Sequence, residues 1–189
     1  PSSLTLNWNT SHVTDMSDMF YNCSGLKSLT FGENFDTSIV TGMADMFHGC
    51  SGLLSLTSLS LTSLNFDTSI VTDMTLMFND CESLKTLDLS HFHTSSVRTM
   101  YGMFGWCSGL LSLTFGENFD TSSVTDMSNM FNNCMSLQSV KKLTIMLTDD
   151  NNGKLDTSNM FINCISLTDC NLSFTKSKDF SQMTYVCAN

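Results

Sequence analysis

Apolar side chains recur along this chain in two alternating patterns. In Leu26-x-x-Leu29-x-Phe31, Leu84-x-x-Leu87-x-Leu89 and Leu110-x-x-Leu113-x-Phe115 they end on alternate positions, the period of a strand with one face buried. Upstream of each such stretch they stand three and four apart. Val13, Met16, Met19 and Phe20 would share one face of about one helical turn, with Thr14 or Asp15 as its N-cap. The chain is therefore expected to alternate a short strand with a short helix or 3-10 turn.

Self-comparison shows that the two patterns form one unit. From Trp8 the chain reads WNTSHVTDMSDMFYNCSGLKSLTF, and close copies begin at Phe35, Phe66, Phe92 and Phe119. Two degenerate copies follow, Leu155-Asp156-Thr157-Ser158-Asn159-Met160-Phe161 through Cys164 and Leu167, then Asp179-Phe180-Ser181-Gln182-Met183 with Cys187. Cys23, Cys50, Cys81, Cys107, Cys134, Cys164 and Cys187 fall in one column, and Cys170 lies outside it. The spacing is 27 residues from Cys23 to Cys50 and 26 from Cys81 to Cys107, within the roughly 20–29 of leucine-rich repeats. A single coil cannot bury both faces, so the coils must stack. The expected fold is an α/β solenoid, a leucine-rich-repeat-like right-handed stack of about seven coils, each with one short parallel strand and one short helix or 3-10 turn. Residues 1–189 form a single repeat domain on this reading, with an N-terminal edge at 1–7, regular coils over 8–147, and degenerate coils with a C-terminal cap over 148–189.

The unit W/F-D/N-T-S-x-V-T-D-M-S-x-M-F-x-x-C-S-x-L-x-x-L resembles that of the BspA-like leucine-rich-repeat surface proteins, also found in mycoplasma surface lipoproteins. The resemblance runs from Trp8 to Cys187. It implies cell-surface display, adhesion to host or neighbouring cells and binding of extracellular proteins, and it brings no catalytic motif. This chain departs from the pattern at His93, Arg98 and Thr99, and in its last two copies.

Composition narrows the classes further. The 189 residues are 41% hydrophobic and 14% charged, too apolar and too weakly charged for a disordered chain. No apolar run approaches the roughly 18 residues of a membrane span. Eight basic against 18 acidic residues give a formal charge of -10. The scattered lysines and Arg98 build no basic stripe for phosphates or anionic membranes. The chain opens Pro-Ser-Ser, so a signal peptide and a wall anchor are expected outside this stretch, and the protein is read as a monomeric extracellular fragment of a longer surface chain.

The heavy use of Met, Phe and Cys follows from the columns. Met16/Met43/Met74/Met100/Met127 and Phe20/Phe47/Phe78/Phe104/Phe131 read as stacked core ladders rather than a greasy docking groove. The cysteines lack the C-x₂₋₄-C pairing of a zinc site and read as a ladder of small buried free thiols. Cys170 and Cys187 are a candidate disulfide stapling the cap, with Cys164–Cys170 the competing pair. Asp36, Asp67, Asp120 and Asn9 precede Thr-Ser, where side-chain-to-backbone turns are the expected use. Calcium held by stacked carboxylates, or by the loop 149–153, is the alternative. No nucleophile elbow and no phosphate loop is present, the His91/His93 pair is a weak metal signal, and neither an enzyme nor a cofactor is expected.

Binding is expected on the outward strand positions. These are Ser28/Thr30, Ser55/Thr57, Thr86/Asp88, Ser112/Thr114 and Ser139/Lys141, a hydroxyl-rich face of the kind solenoids use for ligands. Small polar residues that merely pack on a curved sheet would look the same. The fourth coil differs, carrying Arg98, Tyr101 and Trp106, residue types enriched in binding hot spots. The sequence thus favours a non-enzymatic adhesion or ligand-binding module for an extracellular protein or glycan. Competing readings are a passive spacer, a calcium-dependent glycan binder or an enzyme. The insertions at 58–63 and 148–154 carry no recognisable chemistry.

Overall fold

Short strands stacked side by side carry one flank of the molecule. The computed structural model describes residues 2–54, 56, 66–141, 143–146, 155–170 and 173–175. Within them β1 (Ser3–Leu6) pairs with β2 (Ser28–Phe31). Strands β3 (Thr86–Leu89), β4 (Ser112–Phe115), β5 (Ser139–Lys141) and β7 (Asp169–Cys170) form a four-stranded sheet, and β6 (Thr144–Met146) pairs with β8 (Ser173–Thr175). Every pair is parallel. Most paired strands lie one repeat apart in the chain, and the register is in phase: Leu4 faces Leu29, and Leu87, Leu113 and Val140 line up across three coils. Parallel strands joined by full turns of chain make a repeat solenoid. β1 comes from the stretch expected to be only an N-terminal edge, and the seventh copy around Cys187 lies outside the described residues.

The opposite flank corrects the sequence reading, because neither α-helix nor 3-10 helix occurs among the described residues. The Met-x-x-Met-Phe segment is instead a ladder of turns. Met16, Asp18, Phe20 and Asn22 donate their N–H groups to Gly42, Ala44, Met46 and His48 of the next coil at 3.0, 3.0, 2.9 and 2.7 Å. The intervening Met19, Tyr21 and Cys23 donate back to Met16, Asp18 and Phe20 within their own coil. A helix would send all of these groups along its own axis. Here the chain must turn over at every second donor, and two left-handed residues per coil do this: Asp18 and Asn22, Asp45 and Gly49, Asn129 and Asn133, Asn159 and Asn163. Asp, Asn and Gly tolerate positive φ at least cost. An apolar spacing of three and four therefore arises here from turns, not from a helix, and Asp15 accepts the Ser17 N–H of a turn at 2.9 Å rather than capping a helix. Isolated parallel bridges from Asp15 through Gly42, Asp73, Thr99 and Asp126 to Asp156 continue the same ladder.

Between the flanks lies a core built of columns. Phe20, Phe47, Phe78, Phe104, Phe131 and Phe161 stack ring on ring, with centroids 5.4, 5.3, 5.7, 5.5 and 4.9 Å apart and interplanar angles of 16° or less. Such offset pairs add to the area they bury. Both methionine columns are buried from Met43 to Met130, as are the valines from Val40 to Val124. The Met and Phe stripes thus form core and not a surface groove.

The sixth coil settles a register that the sequence left open. Asp156 bridges Asp126, so Leu155-Asp156-Thr157-Ser158 occupies the place of Thr125-Asp126-Met127-Ser128, although it spells the Phe-Asp-Thr-Ser of earlier coils. The carbonyl expected from that Asp is supplied by Thr144, which accepts from Thr121 Oγ1 at 3.0 Å. Leu143, fully buried, stands just before it.

Candidate functional site

Each coil is clamped to the next by a buried threonine. Thr10, Thr37, Thr68, Thr94 and Thr121 are all 5% exposed or less, and their hydroxyls donate to the carbonyls of Asp36, Asp67, His93, Asp120 and Thr144 at 2.7 to 3.0 Å. Thr10 and Thr68 also accept, from the N–H groups of Asp36 and His93 at 2.7 and 2.9 Å. The carboxylates beside them are occupied locally. Asp36, Asp67 and Asp120 accept the N–H two residues on, from Ser38, Ser69 and Ser122, at 2.8 to 2.9 Å. Asp15, Asp73, Asp126 and Asp156 do the same. Hydrogen bonds from Ser17 hold the Asp15 carboxyl below its ordinary value, and those from Ser38 do so for Asp36. Among the described residues no three His, Cys, Asp or Glu side chains converge on a common point.

The strand flank brings the expected hydroxyl positions into rows. Ser3 faces Ser28 and Thr5 faces Thr30, while Thr86, Ser112, Ser139 and Asp169 line up across four strands, with Asp88, Thr114 and Lys141 beside them. Thr30, Thr86, Asp88 and Thr114 are exposed, and Ser28, Ser112 and Ser139 are half-buried. Ser28 Oγ donates to Ser3 Oγ at 2.8 Å, so the row is linked through its own hydroxyls at that end. Ser55 and Thr57, with the side chain of Lys141, lie outside the described residues. Next to the rows Leu54 and Leu111 expose 54% and 38% of their surface.

Arg98, Tyr101 and Trp106 do not join this face. They stand on the turn ladder, where Arg98 replaces the exposed threonines Thr14, Thr41, Thr72 and Thr125. Its backbone keeps the ladder, with N–H donating to Thr72 and C=O accepting from Thr125. Tyr101 is 38% and Trp106 54% exposed. The fourth coil still carries Gly102 and Gly105, both buried, between these aromatics.

The cysteine column is a second clamp. Cys50, Cys81, Cys107, Cys134 and Cys164 donate Sγ–H to the carbonyls of Phe20, Phe47, Phe78, Phe104 and Phe131 at 3.0 to 3.3 Å. Burial raises every one of these thiols, to about 12 for Cys50 and Cys107 and about 11 for Cys164. They are free, and they are protonated near neutral pH, the inert state of a thiol. Cys23 is also free but exposed, because no coil of this stretch covers its flank of the turn ladder. The pairing of Cys170 with Cys187 or Cys164 falls on side chains outside the described residues. Of the histidines, His48 places Nδ1 2.6 Å from Asp45 Oδ1 and meets the edge of Tyr21 at 4.9 Å. This is a small local cluster of Asp45, His48 and Tyr21.

The threonine clamps and the left-handed pairs were not singled out from the sequence. Both have a signal there: Thr recurs at one position in five coils, and Asp, Asn or Gly recurs four residues apart.

Three overlapping stretches, 3–58, 33–144 and 114–189, match the family model described as "Mycoplasma protein of unknown function, DUF285". The chain belongs to the DUF285 family. Its matched stretches span the coils marked by the Thr-Ser-x-Val-Thr-Asp-Met unit, in agreement with the resemblance to BspA-like and mycoplasma surface repeats. No curated protein matches the chain. A leucine-rich repeat protein from T. pallidum is similar in structure at 15% identity and a TM-score of 0.39, over 92% of this chain and 72% of that one. A leucine-rich cell surface protein from Faecalibacterium prausnitzii is similar at 14% identity and a TM-score of 0.38, over 100% and 86% of the two chains.

Proposed function

We propose that this DUF285 chain is a non-enzymatic ligand-binding module displayed at the cell surface, presenting its sheet face to an extracellular protein or glycan. The reading is carried by the in-phase parallel register, which lines Thr30 with Thr5, and Asp88 with Thr114, in rows of exposed side chains on a rigid ladder. Rows repeated at the strand spacing of about 4.8 Å suit an extended ligand with its own repeating polar groups. Display at the surface rests on the resemblance of the repeat unit to surface-protein repeats. The test is an array of immobilised extracellular proteins and glycans, probed with the chain and with Thr114→Arg. A ligand retained by the native chain and released by the variant, at unchanged melting temperature, supports the reading. A chain silent on the whole array favours the spacer instead.

A further inference from the structure

The first coil is finished on its outer side as an interior surface. From the second coil to the sixth, four carbonyls of the turn ladder accept from the coil before, and those of Gly42, Ala44, Met46 and His48 are the first such set. Their counterparts Asp15, Ser17, Met19 and Tyr21 accept from no backbone donor among the described residues. The side chains tell the same story. Val13 and Met19 are half-buried where Val40 and Met46 are fully buried, and Trp8 is 58% exposed where Phe35 is 0%. Phe20 has a stacked ring on one side among the described residues, whereas Phe47 has one on each, at 5.4 and 5.3 Å. The unpaired surface also has a definite shape. On the strand flank β1 already lies against β2, Leu4 beside Leu29 and Leu6 beside Phe31, so the strand place next to the first coil is taken. A whole coil of a second copy would drive its own strand into β1, whereas a turn segment alone meets no such obstacle.

We propose that the outer face of the first coil docks a single turn segment of a partner chain, one that carries the repeat's own Val-Thr-Asp-Met-x-x-Met-Phe-x-x-Cys pattern and lies parallel to residues 13–23. The partner continues the coil-to-coil interface already present along the molecule, and three features select it. Carbonyls on alternate residues call for N–H groups on alternate residues. The repeat supplies these from the positions of Met43, Asp45, Phe47 and Gly49, which donate to the next coil at 2.8 to 3.0 Å. The Cys23 thiol, free and exposed, calls for a carbonyl at the phenylalanine position, as Phe20 provides for Cys50 at 3.2 Å. The bare side of the Phe20 ring calls for a second ring in the same column. An unpaired row of backbone groups is a template for another chain, and main-chain pairing with side-chain pockets between is the mode of strand addition. The surface lies on the turn flank and is independent of the sheet face.

The probe is a synthetic peptide of residues 37–51 with Cys50→Ser, titrated into the full chain. The chain holds 2 tryptophans, so Trp106→Phe, in the fourth coil and outside the proposed face, leaves Trp8 as sole reporter. A saturating blue shift of Trp8 emission is expected, together with a reaction of Cys23 with maleimide slowed about tenfold or more at saturation. The same peptide N-methylated at Asp45 and Phe47 keeps its side chains and loses two ladder donors. It and a scrambled peptide are expected to leave both signals unchanged. Unprotected Cys23 at about 1 mM peptide, or equal protection by the N-methylated or the scrambled peptide, overturns the proposal. Thr114→Arg, which tests the sheet face, is expected to leave peptide docking intact, so the two readings fail separately.

Discussion

Thr68→Val is the sharpest test of how the coils are held together. The two side chains have nearly the same shape, and Thr68 is 1% exposed, so the change removes little but the hydroxyl. That hydroxyl makes two inter-coil bonds, donating to the His93 carbonyl at 3.0 Å and accepting from the His93 N–H at 2.9 Å. Each net bond is worth about 1 kcal/mol, with a larger loss where the abandoned group stays buried. His93 itself is exposed, so water recovers part of what is lost, and the expected destabilisation is about 2 kcal/mol. For a domain of this size that corresponds to roughly 4–8 °C in melting temperature. Thr68→Ser is the control, keeping both bonds and losing one methyl group at about 1 kcal/mol. Stability is read from urea unfolding followed by far-ultraviolet circular dichroism and by tryptophan emission. Two probes are needed because stacked repeats do not always unfold in one step. The expected order is native, then serine, then valine. A valine variant as stable as the serine variant would refute the clamp and leave ring and methionine stacking to hold the coils.

Three further outcomes follow. In the native protein Cys23 is expected to react promptly with a maleimide while Cys50, Cys81, Cys107 and Cys134 react only through unfolding, and mass spectrometry of a labelling time course separates them. Because burial raises Cys50 and Cys107 from 9.0 to about 12, their neutral forms stabilise the fold fully below about pH 9 and this contribution is lost as pH rises towards 12; a melting temperature that held constant over that window would contradict it. Trp106→Asn should melt higher than Trp106→Ala by about 1 kcal/mol, since both lose the indole but only Asn accepts φ 61° readily; equal melting would show that the turn relaxes.

What could be read before the structure, and what could not, divides along one physical line. Strand positions were legible because a period of two has a single structural cause: Leu29, Leu87 and Leu113 are buried where alternation placed them, in pairs one repeat apart. Apolar residues three and four apart have two causes, and the helix was the wrong one for Met16, Met19 and Phe20. The choice between them lies in the polar residues, not the apolar ones. Asp18 and Asn22, or Asn129 and Asn133, are poor helix interiors and good left-handed turns, so the repeated pair four apart was the available discriminator. The same reasoning bears on the candidate sites. Ser28 and Thr114 could be placed on a face because the strand period fixes it, whereas Arg98, Tyr101 and Trp106 were singled out because they replace small or acidic residues at their repeat positions and are of types enriched in hot spots, with no face attached. The cysteine column already aligns Trp106 with Asn22, Gly49, Asp80, Asn133 and Asn163, and the structure adds that all six are left-handed. An indole held where Asn or Gly is at ease costs about 1–2 kcal/mol, a strain that Leu76 shares at φ 53° in the coil before it.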